Sequence, residues 1–227
     1  MNKFLKLALS VPKTLWFNFI VFGVKKGIQC PVFVGYDVKI KEIHRGSIIF
    51  TGTTKTGAVK VGINHGTEGI LEASSKSFVK VSNESKLIFE GTADFKEGIS
   101  LIASYGGEIV IGNNFSSNRG CCISSDTSVQ IKEDAMLGWN VHIRTSDGHP
   151  IFALDDLSHR INENRPVFIG KHVWIASNAN ILKGAIIPDN SVVGYGACVT
   201  RGFNENNSVI AGCPAKIVRT GVHWERE

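Results

Sequence analysis

The chain has 227 residues, with 25 Lys and Arg against 20 Asp and Glu and a formal net charge of +5 at pH 7. Five cysteines, an odd number without a CxxC pair, exclude a disulfide framework and fit a reducing cytoplasm. The basic excess suits a phosphate-bearing small molecule, an anionic saccharide or a membrane surface, although a mildly basic solvated surface carries the same charge.

Residues 1–28 read as an N-terminal capping segment. Thr14 to Val24 (TLWFNFIVFGV) is apolar but interrupted by Asn18 and flanked by Lys13, Lys25 and Lys26. That stretch falls below the roughly 20 residues needed to cross a bilayer, and no small-residue cleavage site follows. A cover for the open first turn of a solenoid is the favoured reading, because solenoid ends must be closed. Peripheral contact with the inner membrane face through residues 14–24 is the rival.

Residues 29–108 hold short apolar runs separated by Gly, Ser, Asn and Lys: PVFVG, GSIIF, VKVG, SFVKV, KLIFEG and ISLIA. Phe89, Phe95 and Leu101 are their best six-residue string. These are expected to be irregular coils of the fold that becomes regular over residues 109–215.

In that regular part every sixth residue from Ile169 is aliphatic: Ile169, Ile175, Ile181, Ile187, Val193 and Val199. A helix repeats near 3.6 residues and a strand near 2, so neither alone explains the period. The fourth position after each aliphatic holds Val173, Ala179, Ala185, Ser191, Ala197 and then Phe203. The third holds His172, Asn178, Gly184, Asn190, Gly196 and Gly202, types that enter left-handed backbone cheaply at corners. Upstream, Ile111, Ser117 and Ile123 keep the register with Asn114, Gly120 and Asp126. A two-residue slip then moves it to Ile131, Leu137 and Ile143 with Asp134, Asn140 and Ser146. Strand, corner, strand with the aliphatic inward is a hexapeptide β-helix, an all-β parallel solenoid in which each coil packs on its neighbours. Cys121 falls in an inward column and Cys122 points outward, so both thiols read as structural.

One segment breaks the pattern. Residues 144–166, within RTSDGHPIFALDDLSHRINENRPVF, are too long for a corner and lack the hexad. A long insertion rooted in two well-formed coils is the natural place for chemistry. Residues 216–227 form a C-terminal tail.

The segments MLGWNVHIRTSDGHP, RPVFIGKHVWIASNANILKGAIIPDNSVVGYGACVTR and SVIAGCPAKIVR resemble the left-handed β-helix acetyltransferases. The nearest branch is that of galactoside and maltose O-acetyltransferases, with capsule and O-antigen O-acetyltransferases nearer still. The left hand of the coil is implied by this resemblance alone, since most parallel crossovers are right-handed. The resemblance implies an acetyl-CoA-dependent O-acetyltransferase acting on a sugar hydroxyl of a surface polysaccharide, without a metal. It also implies a cytoplasmic homotrimer with its sites between subunits.

In that family a loop histidine before a proline removes the acceptor's proton, and the matching residue is His149 in DGHP. A sugar hydroxyl is a poor nucleophile until its proton is taken, and neutral imidazole suits that task near pH 7. His159 competes from the same loop, and Asp147, Asp155 and Asp156 are alternative partners for the imidazole. For the acceptor the resemblance points to Asn118 and Asp126, with Trp139 and Asn140 beside them. Asn118 reads equally well as a solvated residue, and Asp126 and Asn140 read more strongly as corner residues. For acetyl-CoA it points to Trp174, to the backbone amide of Ser177, and to Tyr195, Thr200 and Arg201. Lys216 and Arg219 then fall near the phosphates, where basic side chains are charge-complementary. There is no glycine-rich phosphate loop. Tyr195 stands where the family often has a small residue. Three other activities compete: N-acetyl transfer to an amino-sugar nucleotide, a non-catalytic carbohydrate-binding coil, and a metal-dependent carbonic anhydrase. The last needs converging histidines, and His142, His149 and His172 lack the close paired spacing.

Overall fold

The computed structural model describes residues 3–52, 54–63 and 76–226. Residues 64–75, within the region read as irregular coils, lie outside the described set. Helix α1 (Lys3–Gly27) precedes the strands. The first coil holds β1 (Val32–Val34), β2 (Lys39–Lys41) and β3 (Ile48–Phe50), and the second β4 (Val59–Val61), β5 (Phe78–Val81) and β6 (Lys86–Phe89). The third holds β7 (Ala93–Phe95), β8 (Ser100–Ala103) and β9 (Glu108–Ile111); the fourth holds β10 (Phe115–Ser117), β11 (Cys122–Ser125) and β12 (Ser128–Ile131). In the fifth, β13 (Met136–Leu137) and β14 (His142–Arg144) are followed by the hairpin β15 (Phe152–Ala153) and β16 (Asp156–Arg160), and then by β17 (Val167–Ile169). The sixth holds β18 (Trp174–Ile175), β19 (Asn180–Ile181) and β20 (Ile186–Ile187). A seventh begins with β21 (Val192–Val193) and β22 (Cys198–Val199), and β23 (Val209–Gly212) and β24 (Ala215–Arg219) end the first face.

The first, second and third strands of successive coils stack into three sheets, the faces of a triangular prism. Pairing within the prism is parallel, and only β24 closes the first face antiparallel on β23. Alternation puts every second side chain inside, so strands read buried, half-buried, buried along their length. The aliphatics from Ile169 to Val199 are all 0% exposed. The two-residue slip is absorbed in the corner between β11 and β12, since Ile123 still pairs with Ile143 and Ile131 with Ile169. Corner residues Asn114, Asp134, Asn140, His172, Asn178 and Asn190 have φ between 49° and 62°. Gly202, Asp126 and Ser146 share that sequence column but are absent from the left-handed set. The coil-four corner passes almost directly from β11 to β12, Ser146 opens the long insertion, and Gly202 leaves its face by a single bridge to Ile186.

Parallel strands leave the groups of the first strand's outer edge without a ladder partner, and α1 answers this with polar side chains. Asn18 donates to the Val32 carbonyl at 2.6 Å and accepts from its N–H at 3.2 Å. Thr14 Oγ1 accepts from the Val34 N–H at 3.0 Å, and Ser10 Oγ accepts from the Tyr36 N–H at 3.0 Å. Phe17 and Val21, on the same face, are buried in the core below. Sequence spacing had set the apolar stretch too short. Phe4–Gly27, 24 residues of mean hydropathy 1.5, is long and apolar enough by length and composition to cross a membrane, but the helix breaks at Gly23 (φ 70°), where the chain turns back and brings Gly27 against Asn18. Lys6 and Lys13 do not end it, because Lys6 reaches Glu97 at 3.0 Å and Lys13 donates to the carbonyls of Tyr36 and Val38.

The tail after β24 runs back along a corner. Val222 and Asn207 exchange hydrogen bonds at 2.9 and 3.2 Å. The Trp224 ring stacks on His172 at 4.1 Å, and its Nε1–H donates to the His172 carbonyl at 2.9 Å. Arg226 donates to Ser116 Oγ at 2.8 Å and to the Ala135 carbonyl at 2.9 Å, and pairs with Asp134 at 2.8 Å.

Replacing Asn18 by Ala removes both bonds to Val32 and leaves buried backbone groups unmatched. The expected loss is about 1–3 kcal/mol of unfolding free energy in urea titration, without change in coil content by circular dichroism.

Candidate functional site

The insertion leaves the prism where the second face turns into the third. Its roots are fixed: Thr145 is fully buried, donates from its N–H to the Ser124 carbonyl at 3.3 Å, and accepts from the Arg165 N–H at 3.1 Å. Between the roots, Asn162 ties the two legs together. Its Nδ2 donates to Asp147 Oδ2 at 2.7 Å and to the His149 carbonyl at 3.0 Å, while its Oδ1 accepts from the Ile151 N–H at 2.7 Å and from Arg160 at 3.0 Å. Lys183, from the next coil, reaches down to Asp147 at 2.5 Å and to the Asn162 carbonyl at 2.9 Å. The Lys183 ammonium and the Asn162 amide, both bonded to the Asp147 carboxylate, hold its pKa below the ordinary value. His149 therefore sits on an exposed bend, braced through its backbone, with Gly148 before it at φ 87°.

These contacts sort the carboxylates. Asp147 braces the loop through Lys183 and Asn162. Asp156 is turned to its own hairpin, bonding Ser158 at 2.6 Å and His159 Nδ1 at 2.6 Å, which also occupies the competing histidine. Asn162 and Lys183 were not singled out from the sequence; the one available signal was Lys183 next to the corner residue Gly184 in the coil facing the insertion.

Strand order divides the other candidates between two edges. Asn118, Trp139, Asn140, Ser177 and Tyr195 line the corner from the first face to the second, in coils four to seven. Asp126 sits at the opposite corner directly below the insertion, its N–H donating to Thr145 Oγ1 at 2.8 Å. Thr200 and Arg201 lie on that same edge two coils above. Trp174, Lys216 and Arg219 belong to the first face. A single chain thus brings Asp126, His149, Thr200 and Arg201 to one edge and leaves Asn118, Trp139, Ser177 and Tyr195 on the other.

The first edge carries a graded set of contacts. Asn140 Nδ2 donates to Asn178 Oδ1 at 3.3 Å, and Asn178 donates to the Tyr195 hydroxyl at 2.5 Å, so Asn140 works as a corner residue here. Ser177 Oγ accepts from the Trp139 N–H at 3.1 Å. Among the described residues no carbonyl accepts from the Ser177 N–H. Gly138 approaches that amide so closely that a Cβ there would lie 2.6 Å from the nitrogen. Trp174, 37% exposed, opens β18 at the far end of the first face from this corner, 6.3 Å from the Trp224 ring. These are features that a pantetheine arm and a thioester oxygen would use, and Arg201, Lys216 and Arg219 are exposed cations for phosphates.

Burial pushes the Cys121 thiol up to about 12, and its Sγ donates to the Gly138 carbonyl at 3.1 Å. It is a packed thiol, not a nucleophile at neutral pH. Among the described residues no group of three or more His, Cys, Asp or Glu is arranged to hold a metal ion.

Stacked hexapeptide coils with one braced histidine loop define a hexapeptide-repeat β-helix protein. No family model matches the chain. It is 36% identical over 121 residues to the galactoside O-acetyltransferase of Escherichia coli K12, covering 51% of this chain and 56% of that one. It is 34% identical over 155 residues to a putative lipopolysaccharide biosynthesis O-acetyl transferase of the same strain, covering 60% and 78%. The solved polysialic-acid-specific acetyltransferase NeuO superposes with a TM-score of 0.54 at 26% identity, covering 88% and 91%. The chain spans about half the length of the first curated relatives it matches. It belongs to the hexapeptide-repeat O-acetyltransferases, and its coil is their left-handed parallel β-helix.

Changing Asn162 to Ala cuts the tie between the loop's legs. Limited proteolysis is expected to cleave within residues 144–166 several times faster, while the melting temperature of the coil barely moves.

The tail beside Trp174 is tuned by His172. Burial works to lower its pKa, but the Asp134 carboxylate at Nδ1 and the Trp224 carbonyl at Nε2 outweigh this and raise it. A raised folded value means that the contribution is fully present below about pH 6.5 and fades as pH rises through the folded pKa. Amide exchange at Val222 to Trp224, corrected for intrinsic rate, is expected to show less protection above that window, and His172→Gln to abolish the dependence.

Proposed function

We propose that the protein is an acetyl-CoA-dependent O-acetyltransferase acting on a sugar hydroxyl of a surface polysaccharide or its precursor. The observation that carries this is His149, held through Asn162, Asp147 and Lys183 at the rim of a rigid coil. Saccharide acceptors are supported by relatives named for galactosides, polysialic acid and lipopolysaccharide.

His149 takes the acceptor's proton as its oxygen attacks the thioester carbonyl; the carbon–sulfur bond breaks, and the imidazolium returns the proton to the leaving thiolate. The Ser177 amide serves the developing oxyanion, where one preorganised donor is worth several kcal/mol. Trp174 flanks the pantetheine, with Tyr195 and Thr200 along the arm and Arg201, Lys216 and Arg219 toward the phosphates. Asn118, Asp126 and Trp139 receive the sugar. Transfer proceeds in a ternary complex, and the buried Cys121 thiol argues against an acyl-enzyme. Because these residues divide between two edges of one prism, the reading requires adjacent copies, and a homotrimer supplies them by closed rotation. The enzyme works in the cytoplasm, with peripheral membrane contact through residues 14–24.

His149→Ala is expected to lower acetyl transfer by about 10²–10⁴-fold, read as CoA release with a saccharide acceptor. Acetyl-CoA should raise the melting temperature of this variant and of the parent protein alike. Turnover near the parent rate would remove His149 from the mechanism.

A further inference from the structure

Helix α1 is amphipathic in the reverse sense. Its polar residues Ser10, Thr14 and Asn18 face the protein, bonded to the open edge of β1. The opposite face carries Leu5, Ala8, Pro12, Leu15, Trp16, Phe19 and Ile20, all exposed. Water-facing helices of soluble proteins are polar on that side. Phe4, at 82% exposure, extends the surface to the start of the helix, and Val24 and Ile28, at 76% and 71%, are exposed beyond the break at Gly23. An apolar-lined cavity of about 170 Å³ between Leu7, Val11, Leu15, Phe33 and Ile63 opens beside it.

The helix itself carries charge of one sign, and Glu97 from the coils pairs with Lys6. Residues 1–36 contain five lysines and no Asp or Glu; the first carboxylate is Asp37. Lys25 and Lys26 are exposed just past the break at Gly23, with the Lys26 ammonium about 6 Å from the Phe22 and Phe50 rings. A broad apolar face on a helix that carries lysines and no acids of its own matches an anionic bilayer surface, where apolar side chains enter the headgroup boundary and lysines meet lipid phosphates. Because Asn18, Thr14 and Ser10 bond groups that point outward from the end coil, the apolar face looks away from the coils. His149 then stands four coil steps above coil one, about 20 Å at roughly 4.8 Å per step, with the thickness of α1 between coil one and the lipid.

We infer that the outer face of α1, from Phe4 to Ile20, seats the protein on an anionic membrane, and that the acceptor is a saccharide anchored in that membrane by a lipid. The inference rests on the acyl-transfer reading above and adds where the acceptor is carried: a glycan rooted in the bilayer presents its outer sugars at the height of the loop, whereas a soluble nucleotide sugar gains nothing from the seat.

The test uses the full chain with vesicles of phosphatidylethanolamine and phosphatidylglycerol. Radiolabelled acetyl-CoA is the donor. The acceptors are the glycolipid fraction of the producing cell, reconstituted in those vesicles, and the glycans released from the same fraction. The parent protein should sediment with the vesicles and acetylate the anchored glycans at least about tenfold faster than the released ones. The combined variant Leu15→Glu, Trp16→Glu and Phe19→Glu should stay in the supernatant, lose that preference and keep its rate on released glycans. Lys25→Glu with Lys26→Glu, which leaves the apolar face intact, should weaken sedimentation in proportion to the phosphatidylglycerol content. Failure of the parent protein to sediment, or equal rates on both acceptor forms, overturns the inference. Transfer to a soluble nucleotide sugar alone overturns it while leaving acetyl transfer standing. Sedimentation with no transfer to any acceptor overturns the acceptor assignment and the enzymatic reading together.

Discussion

Everything in this molecule depends on one constraint, that each coil finds its hydrogen-bond partners and its apolar contacts in the coils directly above and below. The inward column of Ile and Val satisfies the second demand, and the in-register parallel pairs satisfy the first. A buried aliphatic side chain contributes on the order of 1.5–3 kcal/mol, so a single column repeated over the coils stabilises the chain without a globular centre. The same constraint creates the problem at coil one, where β1 has no strand above it. The polar face of α1 solves that problem, and solving it turns the apolar side chains of the helix outward. The surface that the membrane inference uses is thus a by-product of closing the solenoid.

Rigidity also explains how one histidine can be placed by so few contacts. The insertion begins and ends at Thr145 and Arg165, joined to each other in a corner of the prism. Asn162 needs only to connect the two legs, and Lys183 to fasten them to the next coil. The division of the remaining candidates between two edges follows from the triangular section, since residues six apart stand on successive faces.

The fold was legible in the sequence because the hexad is a direct image of it: Ile175, Ile181 and Ile187 fall on three successive faces with identical burial. The corner column was legible where Asn, His or Gly takes left-handed backbone, as at Asn178 and Asn190, but not at Asp126, where the corner is built differently. His149 stood out as the histidine before the only proline in the inserted loop ahead of Arg165. Asn162 and Lys183 did not, because their role lies in contacts across 15 to 36 residues that no periodicity encodes. The length of α1 was missed for a similar reason. Lys6 and Lys13 look like polar flanks until Glu97 and the Tyr36 and Val38 carbonyls are seen to neutralise or bind them.

The returning tail has an effect on how the protein comes apart. In a plain solenoid each repeat couples only to its neighbours, and fraying can proceed one turn at a time from the end. Here residues 222–226 clasp Asn207, His172, Asp134 and Ser116, stitching rungs from the seventh turn back to the fourth. Stepwise peeling from the C-terminal side is thereby forbidden until the clasp lets go, and the turns that bear the catalytic candidates melt as a block.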